Sequence, residues 1–190
     1  MTKKIQFISF LVMLFSMNAL SANDYTLDTD LSSVSFATIK KQFIVEPANI
    51  SKLSGNLDKN GHFDITIDVR SIDTGVKVRD SRLNEFLFKS SIHPKVKVRG
   101  KVDLANFKDG SYRMVVPVDV EFWGHTRSLE FPVVILKSND YLMVSSSTPL
   151  ILGISDIGIP NRNLSDLASK VGEIPISSKV PVTINLMFKK

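Results

Sequence analysis

An alternation of apolar and polar residues with a period of two restricts the fold of this chain more than any other feature. Four long runs show it. Because successive side chains of a β-strand point to opposite faces, each run predicts a strand with one face against an apolar interior and the other in water. The four apolar rows are Phe63, Ile65, Ile67 and Val69; Met114, Val116, Val118, Val120 and Phe122; Leu129, Phe131, Val133 and Ile135; and Val180, Val182, Ile184, Leu186 and Phe188.

The turns between these runs indicate a sheet in which strands adjacent in sequence are also adjacent in space. The dipeptides Asn60-Gly61 and Asp109-Gly110 accept the positive φ angles of tight hairpins. Strands joined in order by short turns form an antiparallel meander, and closing it into a barrel removes its unpaired edges. The sequence therefore predicts an all-β fold, an antiparallel barrel of about eight strands. Shorter strands are predicted at residues 34–39, 50–57, 96–104 and 141–152, and further reversals at Asn139-Asp140 and Gly124-His125.

Two segments depart from the alternation and predict short helices. The first, residues 79–91, has helical spacing and can cap one end of a barrel. The second, residues 164–171, lies within the long irregular connection 153–178 and starts beside polar residues that can cap it. The residues concerned are Leu83, Phe86, Leu87 and Ser90 in the first segment, and Asn163 or Ser165 as the cap of the second.

The N-terminus has the order of regions found in secretory signal peptides. Lys3 and Lys4 precede a mostly apolar run, and small residues follow at Ser21 and Ala22. The alternative is a membrane anchor, but the apolar run is shorter than the ~20 residues of a spanning helix. We expect residues 1–22 to be removed, which leaves residues 23–190 as one periplasmic domain with no stable membrane span. No cysteine follows the run, so a lipid-anchored lipoprotein is excluded.

Composition excludes several classes of function. Removal of the signal peptide leaves 22 basic and 19 acidic residues, and the basic residues are scattered, so nucleic acid is not an expected partner. The absence of cysteine excludes disulfides, thiol chemistry and most soft-metal sites. His62, His93 and His125 have no partner at metal-ligand spacing, and we expect neither a metal nor another cofactor.

Short motifs occur along the mature chain in a fixed order. They are Tyr25-Thr26-Leu27-Asp28 leading to Val34-Ser35-Phe36; Ser71-Ile72-Asp73-Thr74-Gly75; Arg79-Asp80 with Leu83, Phe86 and Phe88; Pro94; Gly124-His125-Thr126; and Ser155-Asp156-Ile157-Gly158-Ile159. In this order and spacing they resemble the YceI-like family, exported lipocalin-like barrels associated with binding polyisoprenoids and other long-chain lipids. The family's usual Trp in the first strand is Tyr25 here, and its Thr-Phe after the proline is Lys95-Val96-Lys97-Val98.

The resemblance implies a lipid-sized cavity, whereas the alternation alone also fits a packed core. A barrel of about eight strands has room for side chains or for one slender ligand. Inward rows of aliphatic and phenylalanine side chains without a charge suit an alkyl or isoprenoid chain. The predicted lining residues are Phe36, Ile65, Leu83, Phe86, Val118 and Phe131.

Arg79 and Asp80 are the candidate head-group residues. An arginine offers a planar fork for phosphate or carboxylate, and an aspartate suits the first turn of a helix. The pair predicts a head-group clamp at the mouth of the cavity. The alternative, which we favour on sequence alone, is that the pair holds the helix to the barrel.

These observations predict a binding protein that carries a long-chain amphiphile, such as an isoprenoid quinone or a polyprenyl phosphate, across the periplasm. One rival is an envelope interaction or stress-protection module with a filled core. Another is an enzyme acting on a lipid or quinone, which the sequence disfavours because it lacks the motifs of nucleophilic, zinc-dependent or phosphate-binding catalysis. The sequence leaves a homodimer open.

Overall fold

The computed structural model describes residues 25–103 and 107–190. The predicted signal peptide and Leu104, the last residue of one predicted strand, lie outside the described residues. The described strands are β1 (Tyr25–Leu27), β2 (Ser33–Lys40), β3 (Ile44–Ile50), β4 (Leu53–Leu57), β5 (His62–Asp68), β6 (Ile72–Asp73), β7 (Lys95–Lys101), β8 (Gly110–Phe122), β9 (His125–Lys137), β10 (Tyr141–Ser146), β11 (Leu150–Gly153) and β12 (Lys179–Lys189).

These strands form one closed antiparallel barrel with eight wall positions, which confirms the predicted fold class. Closure comes from β12, which pairs with β10 along one edge and with β1 and β2 along the other. Some wall positions are made of two successive strands, with a bend where the strand is interrupted. β1 and β2 share one such position, and β10 and β11 share another. All four strands pair with β12. Most residues of the rows read from the alternation face inward and belong to the larger of two buried apolar clusters, whereas Val69 and Phe122 belong to the second cluster.

Strand bounds differ from the predictions where the alternation is interrupted. The run at 50–57 is two strands, and β3 extends back to Ile44, which the sequence did not predict. The alternation is not visible in β3, because its valine and its first isoleucine are exposed and Pro47 lies within the strand. The run at 141–152 is likewise divided into β10 and β11, and Val69 lies in a 3-10 turn after β5 instead of in the strand.

The first predicted helix covers one end of the barrel, but only its start is an α-helix. Helix α1 (Lys77–Arg82) continues directly as a π-helix, Leu83–Phe88. A π-helix has a wider turn than an α-helix, so the residues that share a face change. Leu83, Leu87 and Phe88 are therefore buried, whereas Phe86, which α-helical spacing places beside Leu83, is only half-buried.

The second helix, α2 (Asn161–Lys170), begins three residues earlier than predicted, directly after Pro160. The predicted capping role of Asn163 and Ser165 is wrong, because both lie inside the helix and the N-cap makes no side-chain hydrogen bond. Asn163 is instead fully buried, and its side-chain amide donates a hydrogen bond of 2.7 Å to the carbonyl of Leu87. This bond joins α2 to the π-helix, so the two helices form one lid.

Gly158 holds the lid end of the chain close to the hairpin between β8 and β9. It follows the 3-10 turn Ile154–Ile157 and has a φ of +83°. A Cβ atom at this position would lie 3.0 Å from the carbonyl oxygen of Phe122 and 3.2 Å from Cβ of His125. The backbone at Gly158 therefore lies too close to the hairpin for a larger residue to fit without a shift.

We expect Gly158→Ala to destabilise the protein by about 2 kcal/mol, because alanine meets both a disfavoured φ and a backbone contact. The matched control is Gly172→Ala. Gly172 has the same φ of +83°, but nothing lies within 4 Å of its Cβ position. Urea unfolding of both variants measures the difference. Equal losses of stability would show that the approach to Phe122 contributes nothing.

Candidate functional site

A cavity of about 230 Å³ lies inside the barrel and is lined by the inward rows of the sheet. Apart from Thr38, Gly153 and Ser177, every lining residue is valine, leucine, isoleucine or phenylalanine, and none is charged. The wall continues from the strands onto the lid, where Leu87 and Phe88 face the cavity. The space is narrow and apolar, which suits an unbranched or methyl-branched hydrocarbon chain.

Five of the six predicted lining residues lie on this wall: Phe36, Ile65, Leu83, Val118 and Phe131. Phe86 does not line the cavity. The π-helical turn directs it to the side of the lid, where the ammonium group of Lys170 lies 5.5 Å from its ring centroid. Phe88 takes the place on the wall that was predicted for Phe86.

A second cavity of about 160 Å³, here called the vestibule, adjoins the first. Thr38, Leu83, Leu167 and Ile176 line both cavities, so the vestibule lies directly beside the barrel cavity at its lid end, and we call this end the mouth. Its other lining residues come from the β2–β3 hairpin, from α1 and from the chain after α2, and they include basic side chains. They are Lys40, Val76, Val78, Arg79, Arg82 and Val171.

One acidic residue neutralises part of the positive charge of the vestibule. Glu46 of β3 forms ion pairs with Lys40 and with Arg79, and its distance to Arg79 is 2.6 Å. Arg79 also donates a longer hydrogen bond to the carbonyl of Thr74. Arg82 forms no ion pair within residues 25–103 and 107–190. The vestibule thus combines an apolar floor with one paired arginine and one arginine that is available for an anion.

Asp80, the other head-group candidate, does not line the vestibule. It is buried, and its carboxylate accepts hydrogen bonds from the backbone N–H and the hydroxyl of Thr74, at 2.8 and 2.6 Å. Burial raises the pKa of this carboxyl, but the two hydrogen bonds from Thr74 and the nearby charge of Lys77 outweigh burial and lower its pKa below the usual range. Its geometry fits the alternative prediction, in which the pair holds the helix to the barrel, because Thr74 directly follows β6.

Sequence reasoning did not find Lys40, Glu46, Arg82, Leu167 or Ile176 as residues of the mouth. Arg82 had a usable signal, because it follows Arg79 by three residues and neighbouring helical positions at that spacing share a face. The others come from distant parts of the chain and are joined only by the fold: Lys40 forms an isolated bridge with Ile176.

Comparison with known proteins agrees with the fold. A family model described as the YceI-like domain matches residues 25–188. The chain belongs to the YceI-like family. The resemblance drawn from the sequence motifs is therefore confirmed. None of the curated proteins matches the sequence.

The solved structures that resemble this YceI-like chain include the following two. A polyisoprenoid binding domain from Saccharophagus degradans, implicated in plant cell wall breakdown, superimposes with a TM-score of 0.81 at 25% identity and covers 88% of this chain and 98% of its own. BcnA from Burkholderia cenocepacia has a TM-score of 0.63 at 19% identity and covers 85% and 98%, and it supports the fold alone.

Over residues 25–103 and 107–190, no helix is long and apolar enough to cross a membrane. The same part of the chain holds no group of three or more potential metal ligands. His93 stacks on Trp123 with ring centroids 3.9 Å apart, and His62 lies 3.5 Å from Asp58, so both histidines have structural contacts.

Proposed function

We propose that this protein is a periplasmic carrier that holds the tail of a long-chain amphiphile, such as a polyisoprenoid, in the barrel cavity and its head group in the vestibule. The observation that carries the proposal is the uncharged, almost wholly apolar wall of the cavity, which opens into a mouth with basic side chains. A hydrocarbon chain requires the apolar wall, and a polar or anionic head group requires the basic side chains of the mouth. The binding of polyisoprenoid by the Saccharophagus degradans domain supports the choice of ligand class.

Burial of the tail supplies the binding free energy in this proposal. Each methylene group removed from water contributes ~0.8 kcal/mol, so a chain of a few isoprene units binds tightly without polar contacts. The cavity is empty space that the side chains of the wall do not fill. For this reason we favour a carrier over an interaction or stress-protection module with a filled core.

The composition of the wall also favours binding over catalysis. An enzyme acting on a lipid or quinone needs titratable or nucleophilic groups beside the reacting atoms. The described wall offers only the hydroxyl groups of Thr38 and Ser177, and no basic group lines the cavity beside either one. The charged groups of the mouth lie where a head group rests rather than along the tail.

The head-group clamp is assigned to Arg82, with Arg79 and Lys40 beside it. Arg82 has no carboxylate partner in the described chain, whereas Arg79 shares Glu46 with Lys40. A phosphate or pyrophosphate entering the vestibule therefore meets one free guanidinium group first. In this proposal the mouth lies in the periplasm, because the chain is exported and residues 1–22 are removed.

The experiment compares a polyprenyl phosphate with the polyprenol of the same tail length. We expect both to bind the wild-type protein, and Arg82→Gln to weaken the phosphate about tenfold while leaving the alcohol unchanged, because only the phosphate forms a charge-assisted contact. Displacement of a fluorescent polyprenyl probe gives both dissociation constants. The control is Arg113→Gln, which removes an exposed arginine from the outer face of β8.

The two halves of the proposal fail separately. If neither ligand binds the wild-type protein, the carrier function is wrong. If both bind and Arg82→Gln changes neither, the tail site stands and the head-group clamp is wrong.

A further inference from the structure

Five exposed apolar side chains surround the mouth of the barrel. Phe43, Ile44 and Val45 lie at the tip of the β2–β3 hairpin, and Val76 and Val78 lie at the start of α1; we call these five residues the rim. Phe43 is 77% exposed, Val45 61% and Val78 55%. Isolated exposed apolar residues are common, but a group of them at the entrance to a cavity indicates a binding surface.

The two parts of the rim are held next to each other and next to the vestibule. The ion pair between Arg79 and Glu46 ties α1 to the hairpin. Lys40 pairs directly with Ile44 across the hairpin, so both side chains lie on the face that points to the mouth. Val76 and Val78 line the vestibule itself. Ile44, Val76 and Val78 thus border the mouth, whereas Val45, which pairs with Ile39, lies on the outer face of the same hairpin.

The positive charge of the protein is concentrated at the same end. The three segments that line the vestibule, residues 40–46, 76–82 and 170–176, contain six basic and three acidic residues. Their net charge of +3 equals that of the whole chain without residues 1–22, so the rest of the surface is balanced. Lys41 is exposed beside Phe43, and Lys77 is exposed between Val76 and Val78.

The tip of the hairpin is held in an unusual backbone conformation. Lys41 and Gln42 both have positive φ angles, 48° and 70°, although neither is glycine. Such conformations persist only where the surroundings hold them, and they are concentrated at functional sites. Here the backbone N–H of Lys41 donates a 2.9 Å hydrogen bond to the carbonyl of Pro175. The tip is therefore fixed to the chain that borders the mouth.

We propose that the rim docks the mouth of the barrel onto the surface of an anionic lipid bilayer. The rim side chains enter the boundary between head groups and acyl chains, and Lys41 and Lys77 contact the lipid phosphates. Docking brings the cavity mouth to the depth at which a lipid tail leaves the bilayer, so that the tail passes between membrane and cavity without crossing water. The inference goes beyond the proposed function and concerns how the carrier meets its membranes.

Vesicle flotation tests the docking surface on the full mature chain. The probes are vesicles of phosphatidylcholine alone and of phosphatidylcholine mixed with phosphatidylglycerol in equal parts. We expect the wild-type protein to float with the anionic vesicles only. Phe43→Ser and Val78→Ser should each weaken vesicle binding about tenfold, and Lys41→Gln about fivefold. Phe43→Leu should retain binding, because it keeps an apolar side chain at the tip.

Matched controls separate the rim from the general surface. Val115 on the outer face of β8 is 52% exposed, so Val115→Ser removes a similar apolar side chain away from the mouth. Lys59 is exposed in the β4–β5 turn, so Lys59→Gln removes the same charge at the other end of the barrel. Neither control should change vesicle binding. Circular dichroism confirms that the variants, all at exposed positions, remain folded.

Three results would overturn the inference. The first is a wild-type protein that floats with neither type of vesicle. The second is an equal loss of vesicle binding in Val115→Ser and Val78→Ser. The third is a protein that dimerises through the rim, with dimerisation lost in Phe43→Ser, which would assign the surface to a second copy. Binding of the polyprenyl probe in solution is measured on the same variants, so a failed carrier function is recognised separately.

Discussion

Val118→Trp is expected to reduce the affinity of the barrel for a polyprenyl probe by a factor of about one hundred or more. Val118 lies on the cavity wall in the middle of β8, opposite Gly100 of β7, whose Cβ position is covered by the ring of Phe63. An indole ring there occupies space that the tail needs. If the indole ring excludes only four methylene groups of the tail from the cavity, the binding free energy is weakened by about 3 kcal/mol, at ~0.8 kcal/mol for each group.

The matched control for this substitution is Val115→Trp on the same strand. Val115 points outward, so the same indole ring is added without entering the cavity. Probe displacement gives the affinities, and thermal unfolding shows whether the added ring is tolerated, since overpacking of a filled core costs 1–3 kcal/mol. A Val118→Trp protein that is folded and binds the probe as tightly as Val115→Trp would mean that the tail does not lie in the barrel.

Asp80→Ala is expected to destabilise the protein by about 3 kcal/mol. The substitution leaves the backbone N–H and the hydroxyl of Thr74 without their buried partner, and it removes the contact that holds α1 to the turn before it. Lys77→Ala, by contrast, should cost about 0.5 kcal/mol or less, because that lysine is 92% exposed and 3.7 Å from the carboxylate. Urea unfolding of Asp80→Ala and of Lys77→Ala measures the two losses of stability.

The contribution of Asp80 also depends on pH in a defined direction. The pKa of this carboxyl is lowered in the folded protein, so the ionised form stabilises the fold at pH values above the unfolded pKa of about 3.9. That stabilisation is lost as the pH falls through the lower, folded pKa. The difference in unfolding free energy between the wild-type protein and Asp80→Asn should therefore be largest above about pH 4 and decrease in stronger acid. A difference that grows in acid would show that the pKa is raised instead.

The sheet could be predicted from the sequence because each strand is specified by residues that are close to one another in the chain. Alternation with a period of two indicates which side chains share a face. A closed barrel needs only that each strand pairs with its neighbour in sequence and that the last strand pairs with the first. The rows that contain Ile65, Val118 and Phe131 face the cavity for this reason. Where β3 carries exposed apolar residues and a proline, the local pattern fails and the strand was missed.

The lid was less predictable because its geometry depends on a change of helix type. The spacing of residues 79–91 is compatible with an α-helix, and an α-helix places Phe86 beside Leu83 on one face. The observed π-helix keeps Leu87 on that face and places Phe88 there instead of Phe86. Periodicity alone does not distinguish the two, because the wider turn is stabilised by contacts with distant residues, such as the bond from Asn163 to the carbonyl of Leu87.

The mouth could not be predicted because its charges are paired across the fold. Arg79 was identified from a motif, but its partner Glu46 lies 33 residues earlier in the sequence, in a strand that was not predicted. The same pairing leaves Arg82, which the sequence did not single out, as the vestibule cation that has no ion pair among the described residues. Positions of head-group residues therefore required the structure, whereas the apolar character of the tail site did not.

Native mass spectrometry of the mature protein, purified from the periplasm of a host that exports it, tests the central claim most directly. The account predicts a species heavier than the polypeptide by the mass of one lipid, which is released on collisional activation and identified as an isoprenoid or another long-chain amphiphile. Val118→Trp should be purified without it, and Val115→Trp with it. A wild-type protein that carries no lipid, and that also fails to bind polyprenyl ligands when they are added, would contradict the account.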